Sequence, residues 1–107
     1  MFRYVLTGGH GVGKTSLALF LQESGEHILR ETASDYKYVK MAQGIPFPFD
    51  NPHAEAEILT QQIRRERDAA TLNYCRIFLD RSIIDHFAYA KLLKQSVDEQ
   101  VISAREN

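Results

Sequence analysis

Gly8-Gly9-His10-Gly11-Val12-Gly13-Lys14-Thr15 decides how this chain is read. Four residues separate Gly8 from Gly13, and Lys14 and Thr15 follow at once, which is the G-x-x-x-x-G-K-[ST] spacing of a phosphate-binding P-loop. Glycine allows the backbone to turn at positive φ and to approach a ligand closely, so successive N–H groups can converge on phosphate oxygens. His10 occupies a position at which the mechanism demands no particular side chain. Lys14 is expected to reach the β and γ phosphates, and the Thr15 hydroxyl to help hold Mg²⁺.

The flanks agree with this reading. Phe2-Arg3-Tyr4-Val5-Leu6-Thr7 is rich in aromatic and β-branched residues and reads as a strand. Thr15 to Leu21 has helical character, with Leu17, Phe20 and Leu21 at i, i+3 and i+4. A helix starting there aims the positive end of its dipole at the phosphates. The expected nucleotide contacts are Gly8, Gly9, His10, Gly11, Val12, Gly13, Lys14, Thr15 and Ser16.

Further along, Ser24-Gly25 stops the first helix, with glycine suited to the position just past its end. His27 to Arg30 is a candidate second strand ending at Glu31. Residues 33–41 admit either a short helix or an irregular stretch. Gln43 to Pro52 contains all three prolines and reads as a loop, with Phe47 and Phe49 expected to pack on the core. A long helix follows, capped by Asp50 or Asn51 with Pro52 in its first turn. Ile58, Leu59, Ile63, Ala70 and Leu72 mark its core-facing stripe, and Glu55, Gln62, Arg65 and Glu66 its opposite side. Gln61 and Arg64, one turn apart, are weak candidates for an acceptor contact.

Ile77-Phe78-Leu79-Asp80 is an apolar run closing on an acid, the pattern of a buried parallel strand with a carboxylate at its C-terminal end. A helix from Ile83 to Lys94 follows, with Phe87, Ala90 and Leu93 inward, and Ser96-Val97-Asp98-Glu99 starts another. Strand and helix alternate three times, which argues for an α/β fold with a parallel sheet: a three-layer P-loop sandwich. Ligands in such sheets sit beyond the carboxyl ends of the strands. Those ends carry the P-loop, Glu31 and Asp80-Arg81-Ser82. Asp80 has the place of an acid that binds Mg²⁺ opposite Thr15. Arg81 suits a contact to the transferring phosphate. Glu31 lies across from the loop, where it would serve an acceptor hydroxyl as general base or positioning acid.

Composition sets the outer bounds. The chain has 107 residues, enough for a single domain, with 44% hydrophobic and 25% charged residues and a net charge of −1. Near-neutral charge gives no footing for a nucleic-acid or acidic-membrane partner. Arg64, Arg65 and Arg67 alternate with Glu66 and Asp68, as on a solvated helix face. The one cysteine, Cys75, excludes an internal disulfide, is expected to be buried, and fits a reducing, cytoplasmic setting. No apolar run approaches the length of a membrane span. His53 and His86 are read as non-ligands.

The stretches Tyr4 to Thr15, Glu31-Thr32-Ala33 and Phe78 to Tyr89 together resemble the AAA-type ATPase/kinase domain family related to ribosylnicotinamide kinase domains, and more distantly P-loop deoxynucleoside kinases. The resemblance spans roughly residues 1–93. It implies an ATP- and Mg²⁺-binding protein that transfers a γ-phosphate to a small hydroxylated acceptor of nucleoside or nucleotide type. Carried over by position, Lys14 and Thr15 would hold triphosphate and metal, Glu31 would meet the acceptor, and Asp80 and Arg81 would be the metal-site acid and phosphate-binding arginine. The family carries more chain after its third strand, including further strands and an arginine-bearing lid. The expectation is therefore of a domain truncated after its third strand and following helices. An exposed first strand would then invite homo-oligomer formation through its edge. The alternatives are an ATPase that hydrolyses its nucleotide without an acceptor, and a non-catalytic nucleotide-binding module.

Overall fold

The computed structural model describes residues 2–6 and 13–105, with Thr15 entering through its backbone alone. Thr7, Gly8, Gly9, His10, Gly11 and Val12 of the expected phosphate loop lie outside the described residues. Three strands, β1 (Phe2–Leu6), β2 (Ile28–Leu29) and β3 (Arg76–Asp80), form a parallel sheet in the order β1-β3-β2. Helix α1 (Lys14–Glu23) leads to β2, and α2 (Thr32–Ala42) and α3 (Ala54–Ala70) connect β2 to β3. Helices α4 (Ile83–Leu92) and α5 (Asp98–Arg105) follow. The alternation expected from sequence thus produces a mixed α/β, P-loop-type sandwich.

β3 is the central strand and the most buried of the three. Ile77 and Leu79 are 3% and 2% exposed, whereas every residue of β1 from Phe2 to Val5 is exposed. Its register pairs Leu6 with Asp80 and Leu29 with Leu79, so the three strand ends fall side by side. Strand alternation puts Ile77 and Leu79 on one face, where α3 lies: Ala69 shares a groove with Ile77, and Glu66 shares one with Leu79. Tyr4 and Phe78 stack on the opposite face, their ring centroids 5.2 Å apart. Helix α1 covers the β2 end of that face, its Ala18 and Leu19 lining a cavity with Ile28 and Asp80.

Glycine at positive φ ends α1 and α2. Gly25 has φ 89°, and Glu26 donates its N–H to the Leu21 carbonyl at 3.0 Å; Gly44 repeats this after α2, with Ile45 donating to Lys40 at 3.0 Å. The stop expected at Ser24-Gly25 is therefore present. The ambiguous residues 33–41 are helical, anchored by Tyr36, which packs with Ala54 and Ile58 in a buried cluster.

Several sequence expectations are corrected. The second strand has two residues rather than the four from His27 to Arg30. Leu17 and Phe20 of α1 are exposed, while Ala18 and Leu21 are its partly covered apolar residues. Phe47 is exposed and Phe49 only half covered; Pro48, in a 3-10 turn (Pro48–Asp50), is the loop residue that is buried. Helix α3 starts at Ala54 with His53 as N-cap, leaving Pro52 outside its first turn. Asn51 acts one step earlier, its side-chain oxygen accepting the His53 N–H at 2.9 Å as an Asx turn. Ile58, Leu59 and Ile63 face the core, but Ala69 rather than Ala70 continues the stripe, and Leu72 and Leu93 are exposed. Cys75 is exposed, since it precedes the first buried strand residue.

The largest correction concerns the polar side of α3. Glu55, Gln62 and Glu66 are buried, and Gln62 is 0% exposed. Helix α3 is covered by α2, α4 and α5 as well as the sheet, so the stripe that would face solvent in a two-layer protein is enclosed here. Each buried polar group then needs a partner. The partners of Gln62 and Glu66 lead to the candidate site, whereas the Glu55 carboxylate lies 3.7 Å from His86 Nδ1.

Candidate functional site

Four charged side chains from three strand ends form one chain of contacts. The Lys14 ammonium donates to Asp80 Oδ1 and lies 3.3 Å from Glu31 Oε2. Glu31 Oε1 in turn lies 3.4 Å from Arg81 Nε. Two cations and two carboxylates alternate, so the group is formally neutral. It is also well covered: the side chains of Lys14, Arg81, Asp80 and Glu31 are 9%, 8%, 12% and 24% exposed. Charges this poorly solvated are held together more firmly than surface pairs.

Each member is positioned by local structure. Gly13, at φ 82°, takes the left-handed turn that precedes α1, and its carbonyl accepts the Leu17 N–H at 3.0 Å. Lys14 is therefore the first residue of the helix. Glu31 is the N-cap of α2, its backbone still extended at φ −61°, ψ 113° as it leaves β2. Asp80 closes β3 in register with Leu6. Arg81 has φ 71°, a left-handed conformation that costs a side-chain-bearing residue of order 1 kcal/mol. Ser82 and Asp85 supply the capping box of α4, with the Ser82 N–H 2.8 Å from Asp85 Oδ2. Helix capping thus falls to Ser82, and Asp80 and Arg81 turn toward Lys14 and Glu31.

The buried polar face of α3 holds this turn in place. Gln62 Nε2 donates to the Arg81 carbonyl at 3.4 Å and to Glu66 Oε2 at 2.9 Å, and the same Glu66 oxygen accepts the Ile83 N–H at 3.2 Å. On its other side Gln62 accepts the Thr32 hydroxyl, one residue past Glu31. One glutamine therefore ties the Glu31 corner to the Arg81 corner. The sequence reading missed it; a polar residue in register with Ile58, Leu59 and Ile63 was the available signal. The Arg81 guanidinium also lies over the Tyr89 ring, 5.3 Å from its centroid.

A second group of charges lies just outside. Asp35 accepts from Arg65 at 2.8 Å and from Arg30 at 3.2 Å. Arg65 also reaches the Thr32 hydroxyl at 3.3 Å, so it belongs to the site's support rather than to the solvated face expected from its charge pattern. Arg64 lines a separate groove with α5 residues Gln100 and Ser103, apart from Glu31. Between α1, β2 and α2 a cavity of about 330 Å³ opens onto Glu31 and Asp80, walled by Ala18, Leu19 and Ile28.

Of the expected site residues, Lys14, Glu31, Asp80 and Arg81 come together, Gly13 borders them, and Ser16 is exposed in the first turn of α1. Gly8, Gly9, His10, Gly11 and Val12 lie outside the described residues, as does the side chain of Thr15. Among the described residues no three His, Cys, Asp or Glu side chains group as a metal site, and no helix is long and apolar enough to cross a membrane. Asp80 and Glu31 already share one cation, the Lys14 ammonium, and their hard oxygen donors are of the kind Mg²⁺ takes. A family model described as an AAA domain matches residues 3–107. Neither the comparison with curated proteins nor that with solved structures returned a match.

Proposed function

The chain belongs to the AAA domain family, of P-loop NTPase type, and from that premise we propose that it is an ATP-dependent phosphotransferase acting on a small hydroxylated acceptor. The observation that carries this reading is Glu31. Phosphoryl transfer needs a group that orients the attacking nucleophile, and Glu31 reaches the P-loop lysine from the neighbouring strand end beside a cavity of about 330 Å³, room for an acceptor larger than water.

In this account Lys14 leaves its carboxylate partners and binds the β and γ phosphates. Gly8 to Gly13 cradle the phosphates through backbone N–H groups. Asp80 and Thr15 would hold Mg²⁺, which when bound would supply charge neutralisation at the phosphates. Arg81 neutralises charge on the transferring group. Glu31, released from Lys14, accepts the hydroxyl proton of the acceptor as its oxygen forms the new bond to phosphorus, and ADP leaves with the electron pair of the broken bond. Positioning and charge neutralisation make up most of the catalysis.

The test is ADP formation with ATP and Mg²⁺ over a panel of nucleosides, nucleotides and sugars. Acceptor-dependent ADP formation that falls about a hundredfold or more in Glu31→Gln supports the kinase reading. ADP formation at one rate with and without every acceptor contradicts it and favours hydrolysis.

A further inference from the structure

The two charge groups at this site are balanced differently. In the inner one, Lys14 and Arg81 face Glu31 and Asp80, and the sum is zero. In the outer one, Arg30 and Arg65 share the single carboxylate of Asp35, which leaves one positive charge in excess. The two arginines are not equally committed. Arg65 holds Asp35 at 2.8 Å and also bonds the Thr32 hydroxyl and the Arg30 carbonyl, so it is part of the frame. Among the described residues Arg30 has a single side-chain bond, 3.2 Å to Asp35, and its side chain is 72% exposed. If Arg30 swings away, Asp35 keeps its ion pair with Arg65.

Arg30 lines the cavity that opens onto Glu31 and Asp80, together with Ser34 in the first turn of α2. Arg30 directly follows the two-residue strand β2, and Ile28 and Arg30 both line this cavity, so an apolar wall and a guanidinium face the same space. We infer that the acceptor is itself a phosphate monoester, held by Arg30 and the Ser34 hydroxyl while its own hydroxyl is presented to Glu31. A guanidinium fork matches two phosphate oxygens at once, which neither Gln22 nor the apolar wall of the cavity can do. This inference rests on the phosphotransferase reading for its acceptor, but the anion site exists independently of turnover.

Two measurements on the full chain separate the two. In the first, ADP formation is compared for pairs of acceptors differing only in phosphate: a nucleoside against its monophosphate, and ribose against ribose 5-phosphate. The phosphorylated member is expected to have a kcat/KM roughly tenfold to a hundredfold higher, the value of one charge-assisted contact. That ratio should collapse toward one in Arg30→Ala and recover in part in Arg30→Lys. Equal kcat/KM within each pair, or a ratio unchanged in Arg30→Ala, overturns the inference while leaving the kinase reading intact. In the second, ribose 5-phosphate is titrated calorimetrically with no nucleotide present. Binding that weakens about tenfold or more in Arg30→Ala supports the anion site even if no acceptor is turned over. Absence of binding, or binding unchanged in Arg30→Ala, overturns it.

Discussion

Lys14 Nζ lies 3.3 Å from Glu31 Oε2 while also bonded to Asp80, so the phosphate-loop lysine is held by two carboxylates before any phosphate arrives. Removing it takes from both carboxylates the cation they share. Lys14→Met is expected to cost about 3–5 kcal/mol of stability, the range for breaking a poorly solvated ion pair from one side. The double variant Lys14→Met/Asp80→Asn should recover part of that loss, because the second change removes the stranded charge. Urea unfolding of the four proteins in this cycle measures it; a double variant whose loss equals the sum of the two single losses means that the pair is not coupled.

Gln62 links the two halves of the site, and its loss should be felt at both. Gln62→Ala strips partners from the Thr32 hydroxyl, the Glu66 carboxylate and the Arg81 carbonyl. Orphaned buried polar groups of this kind cost about 1–3 kcal/mol each, and packing is lost besides. A drop of at least about 2 kcal/mol in urea unfolding is expected. A variant as stable as the parent would show that α3 does not secure the Arg81 turn.

Legibility in the sequence followed periodicity. β3 was readable because a run of apolar residues ending in an acid suits few elements besides a buried parallel strand, and the P-loop because its spacing is tied to one mechanism. Glu31 and Asp80-Arg81 were found by position at strand ends, which is where the parallel register then gathered them. Helix α3 was misread on its polar side. Binary patterning assigns Gln62 and Glu66 to solvent unless it is known that further helices enclose that face, and this is a tertiary fact. Phe47 and Leu17 differ in the opposite sense: apolar side chains are not obliged to be buried, and both are exposed here.

Lys94 ends α4 where α1 and α2 use glycine. It has φ 56°, and Gln95 donates its N–H to the Ala90 carbonyl at 2.9 Å, the same closing bond that follows Gly25 and Gly44. A side chain is disfavoured in this conformation. Lys94→Gly is expected to raise stability by about 1 kcal/mol, and Lys94→Val to lower it. Thermal unfolding of the two variants gives the order; a destabilising glycine would contradict the assigned conformation.

Tyr36 makes stability fall at alkaline pH. Burial first, and its hydrogen bond to Glu57 second, push its phenol from 10.0 up to about 12. The folded chain therefore holds this proton more tightly than the unfolded chain does. The resulting stability is complete below about pH 10 and is lost as pH rises from 10 through 12. Unfolding measured at intervals from about pH 9 to about pH 11.5 should show a smaller decline in Tyr36→Phe than in the parent. Parallel declines would place the phenol in water.

The central claim is that Lys14 exchanges its carboxylate partners for nucleotide phosphate. Calorimetric titration with ATP and Mg²⁺, at one temperature where both proteins are folded, tests it most directly. The parent chain is predicted to bind, and Lys14→Ala to show affinity at least about a hundredfold weaker, as expected for loss of charge-assisted bonds to phosphate. Equal affinity in the two proteins would contradict the account.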